Sequence, residues 1–222
     1  MKRREFLVLA SACMAVSARP RTRAQSALQP DLSALAGGKG LALFNRRVSA
    51  IADSTRKGLH LGESPGNGVA YIEGLEFANG TIELDVRGKD VMQQSFVGVA
   101  FHGVDGTTYE AVYLRPFNFK SEDAVRRSHG VQYVSHPEFT WEKLRAEQPG
   151  KYEHAVSPAP DPNDWFHLRI TVAGPKVTVY VAGAAEPSLT VDRLSTRRTG
   201  LVGLWVGNNS AGDFANLKVV GA

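Results

Sequence analysis

Glu83, Asp85 and Arg87 alternate along the stretch Gly80-Thr81-Ile82-Glu83-Leu84-Asp85-Val86-Arg87-Gly88. Thr81, Glu83, Asp85 and Arg87 point one way, and Ile82, Leu84 and Val86 the other. A period of two with one apolar side marks a half-buried β-strand. Its polar side presents two carboxylates and a guanidinium in a row. Such a row can take sugar hydroxyls through paired hydrogen bonds and can supply a general base. It also fits a solvated cross-strand charge pattern, which sheet faces commonly carry. The trio Glu83, Asp85 and Arg87 is the candidate catalytic set.

Other strand-like segments offer polar and aromatic groups to the same concave face. Tyr109, Ala111, Tyr113 and Arg115 share one side of their segment, and Glu110, Val112 and Leu114 the other. Trp165, His167, Arg169 and Thr171 alternate with Phe166, Leu168, Ile170 and Val172, and Trp205 shares a side with Gly203 and Leu201. His102 ends the segment 96–102. Arg115-Pro116-Phe117-Asn118 opens a long loop, and His129-Gly130-Val131-Gln132-Tyr133 closes its first half. A proline after Arg115 stops the strand and fixes the loop exit. Expected substrate-binding residues are therefore Tyr113, Arg115, Asn118, His129, Gln132, Tyr133, His102 and Trp205. Aromatic faces stack on sugar C–H groups, while carboxylates and guanidinium groups bind hydroxyls. Taken singly, Trp165 and Trp205 fit core positions better than a stacking platform.

The elements that must position these groups are short. Apolar or alternating runs predict strands near 48–53, 57–62, 68–73, 80–87, 96–102, 109–115, 131–134, 165–173, 176–182, 188–192, 200–206 and 213–220. Asn79-Gly80, Asp105-Gly106, Ala173-Gly174-Pro175, Ala182-Gly183 and Gly207-Asn208-Asn209 favour turns. Asp105-Gly106 reads as a hairpin tip. Only 140–146 reads as a helix, with Thr140 as its N-cap. A dozen short strands predict an all-β sandwich or barrel. Its one long irregular loop, 116–164, holds six prolines, and loops of that length tend to be functional.

The chain has 222 residues, with 26 Lys and Arg against 22 Asp and Glu. Six of those cations and one of the acids fall in residues 1–24, which leaves 20 cations against 21 acids in the rest. The basic balance belongs to that N-terminal segment, so a nucleic-acid partner is not expected. Lys2-Arg3-Arg4-Glu5-Phe6-Leu7 followed by an apolar run to Ala18 reads as an export signal. The run is too short to span a bilayer. Paired arginines before Phe-Leu resemble a twin-arginine signal, which predicts a periplasmic or extracellular protein. Cleavage after Ala18 or Ala24 fits the small-residue rule, with Ala24 preferred. Ala10-Ser11-Ala12-Cys13 is a poor lipidation site because Ala10 stands where leucine is usual. Cys13 is the only cysteine, so residues 25–222 can hold neither a disulfide nor a thiolate nucleophile. Residues 25–40, rich in Ser, Ala, Gly and Pro, are expected to be a linker ahead of a single domain, 41–222.

The run Phe77 to Glu83, with Phe96 to Phe101, Tyr109 to Pro116, Trp165 to Ile170, Gly203 to Gly207 and Asp213 to Val219, resembles a concanavalin A-like jelly roll of two antiparallel sheets. Laminin-G-like modules, family 16 glycoside hydrolases and 3-keto-disaccharide hydrolase-like proteins share that fold. The resemblance covers residues 40–222 and implies a saccharide ligand. Family 16 enzymes carry Glu-x-Asp and then a second Glu, because retaining hydrolysis needs two carboxyls ~5 Å apart. Here Glu83 and Asp85 match, but Arg87-Gly88 stands at the third place, so that mechanism is not expected. Cleavage beside a 3-keto sugar needs one base and one electrophilic partner. The resemblance then implies Glu83 or Asp85 as base, with Arg87 or Arg115 as partner. A non-catalytic glycan-binding module is the alternative. Relatives with this fold often hold Ca²⁺ near the last strand, which implies Asp213 as a calcium ligand. No other cofactor is expected.

Overall fold

The structure is a computed structural model and describes residues 27–52 and 56–221. The expected export signal, with Cys13, lies outside the described residues. The strands are β1 (Ala27–Leu28), β2 (Leu41–Phe44), β3 (Val48–Ala50), β4 (Gly58–Leu61), β5 (Gly68–Phe77), β6 (Gly80–Arg87), β7 (Val97–Gly103) and β8 (Tyr109–Leu114). A 3-10 turn (Pro116–Asn118) and α1 (Ala124–Arg127) precede β9 (Val131–His136), α2 (Trp141–Glu147) and β10 (Glu153–His154). The chain closes with β11 (Phe166–Ala173), β12 (Lys176–Val181), β13 (Leu189–Asp192), β14 (Gly200–Val206) and β15 (Gly212–Val220).

These strands form two antiparallel sheets packed as a sandwich. The first runs β13-β12-β11-β6-β15-β4-β3, with β1 added beside β15. The second runs β10-β9-β8-β7-β14-β5-β2. The predicted all-β sandwich is thus the observed fold, and the expected strands appear within a few residues of their predicted bounds. The N-terminal segment differs from the linker expected there: β1 pairs with β15, and Leu32 is buried in the core.

Burial explains the two kinds of strand sequence. In the first sheet, β6 buries Ile82, Leu84 and Val86, and β11 buries Phe166, Leu168, Ile170 and Val172. Their partners across the ladder match, with Leu84 opposite Leu168 and Ile82 opposite Ile170. The polar residues between them stay on the outer surface, which gives the clean alternation of a one-sided sheet. In the second sheet every residue of β7 and β8 is buried. Both sides of those strands are covered, so their sequences run through small and apolar residues without strict alternation.

The cover on the outer side comes from 115–156. This segment is more ordered than an irregular loop, since it carries the 3-10 turn, α1, β9, α2 and β10. Thr140 caps α2 as expected, its hydroxyl accepting from Lys143 N at 3.4 Å, and Leu144 anchors the helix by burying fully. Such a cap contributes ~1 kcal/mol. At the other end, Asp105 Oδ1 accepts from Thr107 N and Thr108 N at 2.7 and 2.8 Å, which builds the predicted hairpin tip. No helix among the described residues is long and apolar enough to cross a membrane.

Candidate functional site

The outer face of the second sheet carries a cleft of about 780 Å³. Its floor is one rung of the ladder: Gln132 on β9 lies opposite Tyr113 on β8, which lies opposite Gly98 on β7, which lies opposite Trp205 on β14. Gly98 decides the shape of this rung. A Cβ there would stand 2.1 Å from the Val112 carbonyl oxygen and 2.6 Å from Tyr113 Cα. Without a side chain between them, the Tyr113 and Trp205 rings approach to 4.8 Å between centroids at 32°. Trp205 Nε1 donates to Tyr109 Oη at 3.0 Å, so the indole is fixed and its polar atom satisfied. The walls are loops: Phe96 from the segment before β7, Asn208 from that after β14, Phe117 and Asn118 from the 3-10 turn, and Trp141 and Arg145 from α2.

A buried charge cluster sits at one end. Glu153, on the two-residue strand β10, is 4% exposed. Arg145 clasps it with two bonds, Nε to Oε1 at 2.8 Å and Nη2 to Oε2 at 2.6 Å. Arg115 Nη1 lies 3.6 Å from Glu153 Oε2, and His129 Nε2 lies 3.5 Å from Oε1. Arg115 is itself held by Tyr113 Oη at 2.9 Å, Gln132 Oε1 at 2.6 Å and the His129 carbonyl at 3.0 Å. One carboxylate therefore faces two guanidinium groups and an imidazole, which leaves the cleft end electropositive. Burial lowers the pKa of His129, although Glu153 pulls the other way. Burial also lowers the pKa of His136, which stacks on Tyr109 at 5.0 Å, and pushes the Tyr113 phenol up to about 12. The hydrogen bond to Glu153 raises the pKa of Arg145. Asn118 Oδ1 is buried at the cleft wall and accepts no hydrogen bond from the described residues. A buried acceptor in that state is costly unless a ligand meets it.

The residues anticipated from the sequence divide among three places. Tyr113, Arg115, Asn118, His129 and Trp205 line the cleft, and Gln132 braces Arg115 beneath it. Glu83, Asp85 and Arg87 are on the other sheet, on its outer surface. The expectation of one shared concave face is corrected here. The cleft lies on the β8–β7–β14 sheet, while β6 belongs to the sheet behind it. Glu83 lies opposite Arg169 on one side and Lys218 on the other. Asp85 accepts from Asn216 Nδ2 at 2.7 Å, pairs with Arg56, and lies 3.1 Å from His167 Nδ1. Arg87 donates from Nε and Nη2 to Asp213 Oδ2 at 2.9 and 2.7 Å. The row is a cross-strand charge ladder.

His102 and Tyr133 are also corrected: they lie between the sheets, away from the cleft mouth. Both point at buried Glu110, with His102 Nδ1 2.8 Å from Oε1 and Tyr133 Oη 2.5 Å from Oε2. Arg193 completes this cluster by donating to both oxygens. Burial alone would raise the pKa of Glu110, but bonds from His102, Arg193 and Tyr133 outweigh it and hold it low. Asp213, the expected calcium ligand, has protein partners at both oxygens, His60 Nδ1 at 2.6 Å from Oδ1 and the Arg87 guanidinium on Oδ2. Among the described residues, no group of three or more His, Asp or Glu side chains is placed to hold one metal ion.

Glu153 and Arg145 were missed by sequence reasoning. Arg145 falls four residues after Trp141 on the predicted helix, which places both on one helix face. Their contact is close, the guanidinium lying 4.9 Å over the indole. Glu153 sits in a two-residue strand with no periodicity to flag it.

Over residues 33–220 the chain matches the model of a family described as the 3-keto-alpha-glucoside-1,2-lyase-like domain. No curated protein sequence matches it. Among solved structures, the carbohydrate-binding module CBM66 from Bacillus subtilis is 16% identical with a TM-score of 0.59, covering 81% of this chain and 95% of that one. A Bacillus subtilis protein of unknown function with a galectin-like fold has a TM-score of 0.59 at 13% identity, covering 90% of this chain and 97% of that one. The exoplasmic/lumenal domain of VIP36, in a Ca²⁺/Man2-bound form, has a TM-score of 0.52 at 12% identity, covering 88% and 87%. At these identities the likeness is one of fold.

Proposed function

The chain belongs to the 3-keto-alpha-glucoside-1,2-lyase-like family, and on that premise we propose that its cleft binds a 3-keto-α-glucoside and eliminates the C1 substituent. The observation that supports this is the part-buried imidazole of His129 beside Glu153, at the electropositive end of an aromatic-floored cleft.

A carbonyl at C3 acidifies the C2 hydrogen. His129 takes that proton, with Glu153 orienting the ring and stabilising the imidazolium. The electron pair of the C2–H bond becomes a C3 enolate, which then forms the C1–C2 double bond as the C1–O bond breaks. The departing alkoxide takes a proton from water, and the imidazolium returns its proton to the hydroxide so formed. Arg115 and Arg145 supply the positive potential that favours the enolate in a site of low polarity. The Trp205 and Tyr113 rings carry the sugar's apolar face, and Asn118 Oδ1 accepts from a hydroxyl. Only one base is needed, so a pair of carboxylates at hydrolase spacing is not required.

Residues 1–24 are, on the same reading, an export address of the twin-arginine type, and the domain acts outside the cytoplasm. Methyl 3-keto-α-glucoside and methyl α-glucoside mixed with the purified protein test the chemistry. Release of methanol with growth of a conjugated enone absorbance is expected from the keto sugar alone. Binding by calorimetry without turnover of the keto sugar would instead mark a glycan-binding module.

A further inference from the structure

The cleft wall beyond Trp205 is made of loops, and their seam is held from behind. Asn67, Gly207, Asn208 and Asn209 line that wall. They come from the β4–β5 and β14–β15 loops, and three strands separate β14 from β10, which carries Glu153. Two direct bonds join the loops: Gly66 N donates to Asn208 Oδ1 at 2.7 Å, and Asn209 N to the Ser64 carbonyl at 3.0 Å. The β2–β3 loop is tied to the same seam, where Asn45 Nδ2 donates to the Pro65 and Asn67 carbonyls at 2.8 and 2.9 Å.

Arg46 stands where the three loops meet. It is 7% exposed, and its guanidinium donates to one carbonyl from each loop: Nη1 to Asn45 at 2.6 Å, and Nη2 to Gly66 at 2.6 Å and Gly207 at 2.7 Å. Its stem passes over Gly68, where a Cβ would stand 2.2 Å from Arg46 Cγ, so only glycine admits it. Burial alone lowers the pKa of Arg46, with no neighbouring charge entering. The cation is therefore solvated by backbone dipoles and not by a carboxylate. A buried guanidinium without a counter-ion is costly, and an apolar side chain would serve packing better. What this one supplies is direction, since a planar fork fixes three carbonyls, and so three loops, in one arrangement.

We infer that Arg46 is a positioning residue of the cleft, a built-in cation that sets the amides of Asn67, Asn208 and Asn209 for the hydroxyls of a saccharide. The inference rests on the reading of the cleft as a sugar site. Carboxamides both donate and accept, as hydroxyls do, and binding gains most when the amides are fixed before the ligand arrives. Arg46 touches no substrate. It acts on binding and leaves the chemistry to the groups around His129 and Glu153.

Steady-state kinetics with methyl 3-keto-α-glucoside test this. Arg46→Ala should raise KM by roughly tenfold and leave kcat within about threefold, the signature of lost binding common to ground and transition states. About 50 mM guanidinium chloride, too dilute to unfold the protein, should bring KM most of the way back, and the same concentration of sodium chloride should not. Arg46→Lys keeps the charge and loses the fork, so an intermediate KM is expected. Asn208→Ala should also raise KM. Combined with Arg46→Lys, it should lose less than the product of the two single effects, because both act on one wall. An unchanged KM in both Arg46 variants, a fall in kcat at constant KM, or strictly multiplicative effects in the double variant would overturn the inference. Should Arg46→Ala not fold, the Arg46→Lys and Asn208→Ala comparison decides it. A chain that binds the sugar without turnover gives the same comparison as Kd by calorimetry. A chain that neither binds nor converts the sugar overturns the reading of the cleft itself.

Discussion

Two histidine–carboxylate pairs sit on opposite outer faces of the sandwich. In the cleft, His129 Nε2 lies 3.5 Å from Glu153, and on the other sheet His167 Nδ1 lies 3.1 Å from Asp85. By distance alone the second pair is the better candidate for a base. The surroundings differ. The Glu153 side chain is 4% exposed and that of His129 21%, against 15% and 43% for Asp85 and His167. The cleft pair adjoins a cavity floored by Tyr113 and Trp205. The open-face pair lies in a ladder where Arg56 and Asn216 also engage Asp85. An acid–base pair becomes a site only where the fold leaves room for a substrate and excludes water beside it.

The widest separation between the two should come from the imidazoles. His129→Gln should cut turnover of a 3-keto-glucoside by about 10²–10⁴-fold, the range for loss of a general base. His167→Gln should stay within about twofold. Steady-state rates with both variants decide it, and comparable losses would erase the distinction between the faces.

The carboxylates should differ next, in stability. Glu153→Gln leaves the Arg115 and Arg145 guanidinium groups against a neutral amide in a buried setting. A broken buried pair costs about 3–5 kcal/mol, and the lower end applies because Arg145 is a third exposed. The melting temperature should fall by roughly 6–12 °C. Asp85→Asn breaks an exposed ladder and should cost about 0–1 kcal/mol. Thermal melts of the two variants side by side measure the contrast.

A backbone substitution sharpens the role of the cleft floor. Gly98→Ala drives a methyl group against the Val112 carbonyl and Tyr113, and overpacking of this kind costs about 1–3 kcal/mol. Saccharide affinity should weaken more than stability does, because the Tyr113 and Trp205 rings are forced apart. Calorimetric titration beside a melt separates the two effects.

The smallest contrast is in pH. His129 and His136 have folded-state pKa values below their ordinary 6.5. The unfolded chain thus binds more protons at these sites, and stability rises with pH in that window. Their contribution is complete above pH 6.5 and is lost as pH falls from there through the folded values. On the open face, Asp213 is held below its ordinary 3.8: burial raises it, but bonds from His60 and Arg87 win. Its contribution is lost only as pH falls below 3.8. Melting temperature against pH should show the upper step diminished in His136→Gln and the lower one diminished in Asp213→Asn.

The sequence made the strands, the Asp105 hairpin and the Thr140 cap legible, because each rests on a local rule. Alternation in β6 correctly put Glu83, Asp85 and Arg87 on a polar side. It carried no information on which sheet that side belongs to, and this is what separates the trio from Tyr113 and Arg115. The neighbours that engage Asp85 lie 29 and 131 residues away in the chain, at Arg56 and Asn216. Glu153 was invisible for a related reason: its partners come from the residue that follows β8, from α2 and from the turn before β9, so nothing within a few residues announces it. Tyr133 and His102 were legible as polar or aromatic residues on strands, but their inward direction depended on Glu110 being buried with Arg193. Buried acids of that kind run against the pattern on which burial is read.

The three tryptophans are distributed as a spectroscopist would wish. Trp205 lies in the cleft floor against Tyr113, Trp141 stands at its rim, and Trp165 is on the other face between Arg56 and Arg87. Sugar entering the cleft would change the emission of the first two and leave the third as an internal standard. The protein is thereby its own optical sensor, and a ligand could be followed in the unlabelled chain, with Trp141→Phe and Trp165→Phe assigning the signal.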